Sequence, residues 1–375
     1  MRTRRKLALG LVVTVLFFVG AELLARAALG PPHPPMVATI PSDGDFLQLR
    51  GDMVHAPYQE PELPPFSLEP GERPRVIWLG GSSVHGAWGV DSNREAAAQV
   101  MGVLPIESLN LGSPGIDTTH LVHLLPQALA LKPAAIVLYT GHNDFGNFVF
   151  TGAFDERTQM GIALASWARN SRLYELLAVN LGRQNIVRPA GVESGFFTLG
   201  PDEKGLIRRD LEQRLRWLAR AAREAQVPLV LVTPVSNAWS PSLVWECPEE
   251  AAALDLGETA RPHDPRRIPR ERLEGDCRDL EWARAVSDLD HDALDRLRDT
   301  DPLPTRADRA TVDMMRRVAE EEEGVLLVDL NARFRERGGG LEPEEWFIDN
   351  LHPSPRGQRA VSRHVAPTLE TLLWP

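Results

Sequence analysis

The chain has 375 residues, 43% of them hydrophobic, and a formal net charge of −11. That length exceeds one average domain without requiring two, since α/β folds with insertions reach it as one unit, and the apolar content supplies a sizeable core. Most Lys and Arg are interleaved with Asp and Glu and not gathered into a patch, which speaks against nucleic acid or another polyanion and for a neutral or cationic small substrate.

Arg2, Arg4, Arg5 and Lys6 precede an uncharged apolar run from Leu7 to Ala21, followed by Glu22 and LLARAALG. Residues 1–29 therefore read as an export signal or a membrane anchor. The uncharged run is short for a span of about 20 residues, but continuing through Glu22 to Leu29 reaches that length. Ala25-Arg26-Ala27 offers a small-residue cleavage site for the signal reading. The uncleaved anchor is favoured because Glu22 and Arg26 can reach the interface near its outer end. A buried N-terminal helix suits the four leading cations poorly. Either membrane reading places the rest of the chain outside the cytoplasm, periplasmic or extracellular. Residues 30–74 are dense in proline (PPHPP, ELPPF) with no sustained period, and read as an extended linker.

Five short apolar runs then recur: RVIWLGG, IESLNLG, AAIVLYTG, PLVLVTP and GVLLVDL, each ending at Gly, Pro, Thr or Asp. Continuous apolar strands predict a parallel sheet buried on both faces. Helical signals fill the intervals at Thr118 to Leu131, Leu206 to Ala225, Arg309 to Glu323 and Pro355 to Leu373. In the second of these Leu211, Leu215, Leu218 and Ala222 share one face. The expectation for residues 75–375 is a three-layer α/β/α sandwich with a doubly wound five-stranded sheet, whose ligands bind at the carboxyl ends of strands.

Residues 237–307 interrupt this pattern with a charged, Pro-rich helical insertion before the last strand. It reads equally as a solvated hairpin or as a cap over a site, with Arg306 its best candidate substrate contact. It also holds both cysteines, Cys247 and Cys277. A bridge between them would close a loop of about 31 residues and contribute roughly 3 to 4 kcal/mol, and no metal-ligand spacing surrounds either.

The chemistry-bearing motifs sit at strand ends. Ser82 in GGSSVHG follows two glycines after the first strand, so a tight turn can expose its hydroxyl at the start of a helix. A phosphate loop fails for want of a Lys-Ser/Thr pair, and a dinucleotide fingerprint fails on spacing. In NLGSPGIDTT, Gly115 can present its N–H to an oxyanion with no side chain in the way. In GHND, Asn143 offers a neutral amide donor, while Asp144 reads as a turn former. In DNLHP, Asp349 is placed to accept the Nδ1–H of His352 while Nε2 faces a serine. His85 and His142 are candidate pocket-lining residues beside these motifs, and Trp88, Phe145 and Phe148 are candidate sugar-stacking aromatics.

Taken together the motifs resemble the SGNH (GDSL-type) hydrolase superfamily. GGSSVHG is similar to its first block with Ser82 as nucleophile, NLGSPG to the second with Gly115, GHND to the third with Asn143, and DNLHP to the fifth with Asp349 and His352. The likeness covers roughly residues 75–236 and 308–375. One departure is Gly81, where the family commonly has Asp. The resemblance implies a flavodoxin-like sandwich and a serine esterase mechanism without metal or cofactor. Its substrates would be glycan or small-molecule esters, with Ser82, Gly115 and Asn143 as oxyanion donors. Two rivals share the scaffold: an O-acetyltransferase that passes the acyl group to a sugar hydroxyl, and a non-catalytic glycan-binding or assembly protein.

Overall fold

The computed structural model describes residues 17–27, 46–59, 63–86, 95–146, 199–242, 246–254, 256, 264–302 and 304–375. Its centre is a five-stranded sheet of β4 (Arg75–Gly80), β5 (Glu107–Asn110), β6 (Ala135–Tyr139), β7 (Leu229–Val232) and β8 (Val325–Val328). All neighbours are parallel and the order is β5-β4-β6-β7-β8. These are the five apolar runs. β4, β6 and β7 are buried on both faces because helices cover both sides of the sheet, whereas edge strand β5 carries Glu107, Ser108 and Asn110 and edge strand β8 exposes Leu326 and Leu327.

The alternation along β4 divides the core. Ile77 and Leu79 face a layer containing α3 (Thr118–Ala130), α4 (Pro201–Glu224) and α8 (Arg309–Glu321), where Leu211, Leu215, Leu218 and Ala222 are buried as their spacing predicts. Val76 and Trp78 face the opposite layer of α2 (Ala96–Met101), α9 (Leu330–Arg337) and α10 (Pro355–Leu373). The result is the three-layer α/β/α sandwich expected from the sequence. Burying the four large side chains of β4 alone contributes on the order of 8 kcal/mol of transfer free energy, at about 2 kcal/mol for each.

Part of the Pro-rich segment is folded, which corrects its reading as an extended linker. β1 (Gln48–Arg50), β2 (Met53–His55) and β3 (Phe66–Ser67) form a small antiparallel sheet, and Phe46 and Val54 enter the core. Buried Arg75 holds this segment by donating to the carbonyls of Ser67, Leu68 and Glu69 at 2.9 to 3.0 Å, while Glu107 neutralises it. Gln59 also donates to Asn110 O and Gly112 O, at 3.0 and 2.6 Å. Residues 30–45 lie outside the described residues.

The insertion between β7 and β8 carries α5 (Pro248–Ala253), α6 (Arg278–Asp288) and α7 (His291–Asp299), and Cys247 and Cys277 form a disulfide within it. It packs against α9 through a bidentate pair of Arg335 with buried Asp295, at 2.9 and 2.6 Å. Of residues 1–29, positions 17–27 are described and helical, with Phe17, Phe18, Leu23 and Leu24 exposed. Among the described residues no helix is long and apolar enough to cross a membrane.

Candidate active site

The strand ends gather the motifs. β4 ends at Gly80, Gly81 caps the one-turn helix α1 (Ser82–His85), and Gly86 closes it in the left-handed conformation at φ 83°. Ser82 is the first residue of that helix, a position whose N–H has no intrahelical acceptor. His352 lies in the loop before α10. Ser82 Oγ–H donates to His352 Nε2 at 2.7 Å, and His352 Nδ1–H donates to Asp349 Oδ2 at 2.6 Å. A serine, a base and an orienting carboxylate are thus within hydrogen-bond reach across 270 residues of sequence. The Ser82 and His352 side chains are buried, whereas Asp349 is partly open. Burial alone would raise the Asp349 pKa. Its hydrogen bonds from His352 and Leu351 and the nearby imidazole outweigh that and hold it below the ordinary carboxylate value.

Next to this pair, Ser113, Pro114, Gly115 and Ile116 form a turn closed by Ile116 N–H on Ser113 O at 3.2 Å. Gly115 has φ +77°, so Pro and Gly occupy the positions a type II turn selects, and a side chain at Gly115 would be strained by the backbone angle. Ser113 N–H fixes the turn to Gly80 O at 3.1 Å. Asn143 Nδ2 donates to Ile116 O at 2.8 Å, and an amide nitrogen carries a second hydrogen for another acceptor. A Cβ on Gly81 would sit 2.4 Å from Asn143 Nδ2 and 3.0 Å from Ile116 O. Gly81 therefore lets the three loops close on one another, and a larger residue there requires Asn143 to move.

Four flanking expectations resolve differently. His85 Nδ1–H donates to Gly112 O at 3.0 Å and ties the nucleophile helix to the end of β5. His142 is buried, and its Nδ1 accepts from Ala307 N–H at 3.1 Å. Burial first, and then the nearby His352, pull its pKa down to about 3, so it stays neutral and is a poor base. Arg306 is no substrate contact: it is buried, with Nη1 donating to Asn237 O and Ser240 O at 2.6 and 2.9 Å and Nη2 paired with Asp301. Its charge is satisfied at the root of the insertion. Phe145 belongs to the core, while Trp88 and Phe148 lie outside the described residues.

Two supports were not singled out from the sequence, and a third was read only as a turn former. Asn237 Nδ2 donates to Asp349 O at 2.9 Å, and Asn237 N–H donates to Asn350 O at 2.9 Å. Asn350 in turn donates to Thr305 Oγ1 at 2.8 Å, so both roots of the insertion hold the loop carrying His352. Gln358 on α10 donates to Ser83 O at 2.9 Å and accepts from Ala96 N–H at 3.1 Å, clamping the nucleophile helix. Asp144, more than a turn former, is buried and accepts from Thr118 N–H at 3.2 Å and from the Thr118 hydroxyl, joining the Asn143 loop to α3. Burial and nearby Asp117 push its pKa up against the opposing Arg214 and Thr118. The sequence signal for Asp144 was its place in GHND; for Asn237 and Gln358 there was none.

No protein-family model and no curated protein matches the chain. Among solved structures it is similar to a GDSL-like lipase from Bacteroides thetaiotaomicron, with 11% identity, coverage of 79% of this chain and 88% of that one, and a TM-score of 0.38. It is similar to an acetyl xylan esterase with 12% identity, 79% and 99% coverage and a TM-score of 0.39. An acetylxylan esterase from Geobacillus stearothermophilus gives 16% identity, 80% and 94% coverage and a TM-score of 0.37. Likenesses this distant assign no activity to the chain, and the functional reading rests on its own site geometry.

Proposed function

We propose that the protein is a serine esterase that hydrolyses carboxylic esters through an acyl-enzyme, with Ser82 as nucleophile, His352 as general base and acid, and Asp349 as the orienting carboxylate. The observation that carries this reading is the continuous line from Asp349 Oδ2 through the imidazole to Ser82 Oγ, at 2.6 and 2.7 Å. Asp349 selects the tautomer with the proton on Nδ1, which leaves the Nε2 lone pair for the serine proton.

As Ser82 Oγ bonds to the ester carbon, its proton passes to Nε2. The imidazolium then gives that proton to the departing alkoxide, which leaves as the alcohol. Water attacks the acyl-enzyme with its proton going to Nε2, and collapse returns the serine hydroxyl and frees the acid. The oxyanion is assigned to Ser82 N–H, Gly115 N–H and the second amide hydrogen of Asn143. Neutral His142 adds no second positive charge beside the imidazolium.

The proposed setting is outside the cytoplasm. A disulfide favours an oxidising compartment, and the cationic then apolar start of residues 1–29 suits an exported or anchored chain. The proposed ester is an O-acetyl or other short acyl group on a carbohydrate or lipid. Assaying full-length protein against esters of increasing acyl length, while measuring released acid and acylated glycan separately, tests this. Release of short-chain acid supports the esterase. Acylated sugar formed in place of free acid supports the transferase, and turnover of neither contradicts both.

A further inference from the structure

A groove of about 1600 Å³ opens beside the edge strand β8, walled by α9 and α10. Arg356, Arg359 and Arg363 project from α10 into its lining and are all exposed. At separations of three and four residues they share one helical face, and Arg356 to Arg363 spans about 10.5 Å along the axis. None of the three makes an ion pair among the described residues, and Arg337 on the opposite wall is likewise unpaired there. Arg333, by contrast, meets Glu336 at 3.5 Å, and Arg266 meets Glu344 at 3.0 Å. Most positive charge is interleaved with acids along the sequence, yet α10 presents these three arginines on one face. Between the arginines in sequence stand buried Gly357, Gln358, Ala360, Val361 and Ser362, so the row appears only once the helix is wound. Burial first, and then Arg333 and Arg363, hold His364 below its ordinary value against the opposing Glu336.

The rest of the lining narrows the partner. Trp346 sits at the rim with its ring held edge-on to Phe334 at 4.5 Å, a fixed aromatic surface of the kind sugar rings stack on. Glu336, Glu344 and Glu345 lie among the arginines. A partner with a negative charge at every unit, such as a nucleic acid, would meet those carboxylates. A flat anionic bilayer cannot enter a concave groove between two helices. A chain with spaced carboxylates and many hydroxyls satisfies both the arginines and the acids. Ser354 N–H donates to Trp346 O at 2.8 Å, and Arg356 is four residues beyond His352, so the groove's Trp346 and its α10 wall are joined to the loop that carries His352.

We propose that this groove binds an acidic polysaccharide, with Arg356, Arg359 and Arg363 meeting its carboxylates and Trp346 a sugar face, and that this polymer carries the ester presented to Ser82. The second clause rests on the esterase reading; the binding does not.

The test measures binding to full-length Ser82→Ala protein, which turns nothing over. Hyaluronan, with a carboxylate on every second sugar, is the acidic polymer and dextran the neutral one, with phosphatidylglycerol vesicles and single-stranded DNA alongside. Binding to hyaluronan at least tenfold tighter than to dextran, weakening with salt, is the expected result. Arg359→Glu/Arg363→Glu should lower it at least tenfold, and the milder Arg359→Gln/Arg363→Gln should lower it less. With Ser82 restored, both pairs should hydrolyse a small neutral ester at the parent rate, which also shows that they fold. Equal binding of both polymers, indifference to the arginine substitutions, or preference for vesicles or DNA overturns the proposal. Failure of the parent enzyme on small esters overturns the esterase reading and leaves the polymer measurement standing on its own.

Discussion

Asp117 to His120 and Asp349 to His352 have the same spacing and nearly the same bonding. Asp117 accepts from Thr119 N–H at 2.9 Å, His120 N–H at 3.4 Å and His120 Nδ1–H at 2.7 Å. Asp349 accepts from Leu351 N–H at 2.9 Å, His352 N–H at 2.7 Å and His352 Nδ1–H at 2.6 Å. After Asp117 the chain continues directly into α3, so the carboxylate is a helix cap and buried His120 lies near Phe46. After His352, Pro353 delays the next helix to Pro355, and the imidazole reaches across to Ser82. An Asp-x-x-His turn is thus a local structure that many chains can form. It gains the geometry of a base only where sheet topology sets a serine opposite it.

The largest expected effect separates the two histidines. His352→Ala should lower kcat for a small ester by about 10⁶-fold, as loss of a triad base does. His120→Ala should leave kcat nearly unchanged and cost about 1 kcal/mol of stability through a weakened cap; comparable losses of activity in both would erase the distinction. Next come the carboxylates. Asp349→Asn frees the wrong tautomer and should cost about 10⁴ in kcat. Asp117→Asn keeps a good capping residue and should cost little in either kinetics or thermal melting.

A smaller effect tests the serine's side of the pair. Asn143→Ala should slow turnover about a hundredfold, near 3 kcal/mol in the barrier, with an unchanged circular dichroism spectrum. The smallest concerns Glu95, which accepts from Asn110 Nδ2, while Asn110 also bonds Val84 O and Gly112 N–H beside the nucleophile helix. Burial raises the Glu95 pKa to about 7, partly offset by Asn110. A raised acid binds its proton more tightly when folded, so this stabilisation is complete below the unfolded value and is lost as pH rises toward 7. Glu95→Gln should therefore raise the melting temperature relative to the parent at pH 8 and not at pH 4. A gain equal at both would contradict that assignment.

Much of the fold was legible because buried parallel strands write themselves as apolar runs, and RVIWLG through VLLV each occupy a strand. Ser82, Gly115, Asn143, Asp349 and His352 could be singled out because their types and short spacings resemble the SGNH motifs and they stand beyond strand ends. What stayed hidden depends on single polar residues or short elements. Asn237 acts on a backbone carbonyl 112 residues away, and Gln358 on one 275 residues away. Neither has a pattern around it. β1 to β3 are two or three residues long, too short for a period to show. Arg306 looked available because it stands in a Pro-rich, charged stretch, yet the folded chain turns it inward onto carbonyls.

In the proposed mechanism Ser82 is made nucleophilic by His352, and the look-alike His120 plays no part. Treating full-length protein with a fluorophosphonate and locating the adduct by mass spectrometry tests it most directly. One adduct is expected, on Ser82, absent in Ser82→Ala, nearly abolished in His352→Ala and undiminished in His120→Ala. Labelling that persists in folded His352→Ala at the parent rate, or that falls on another residue, would contradict it.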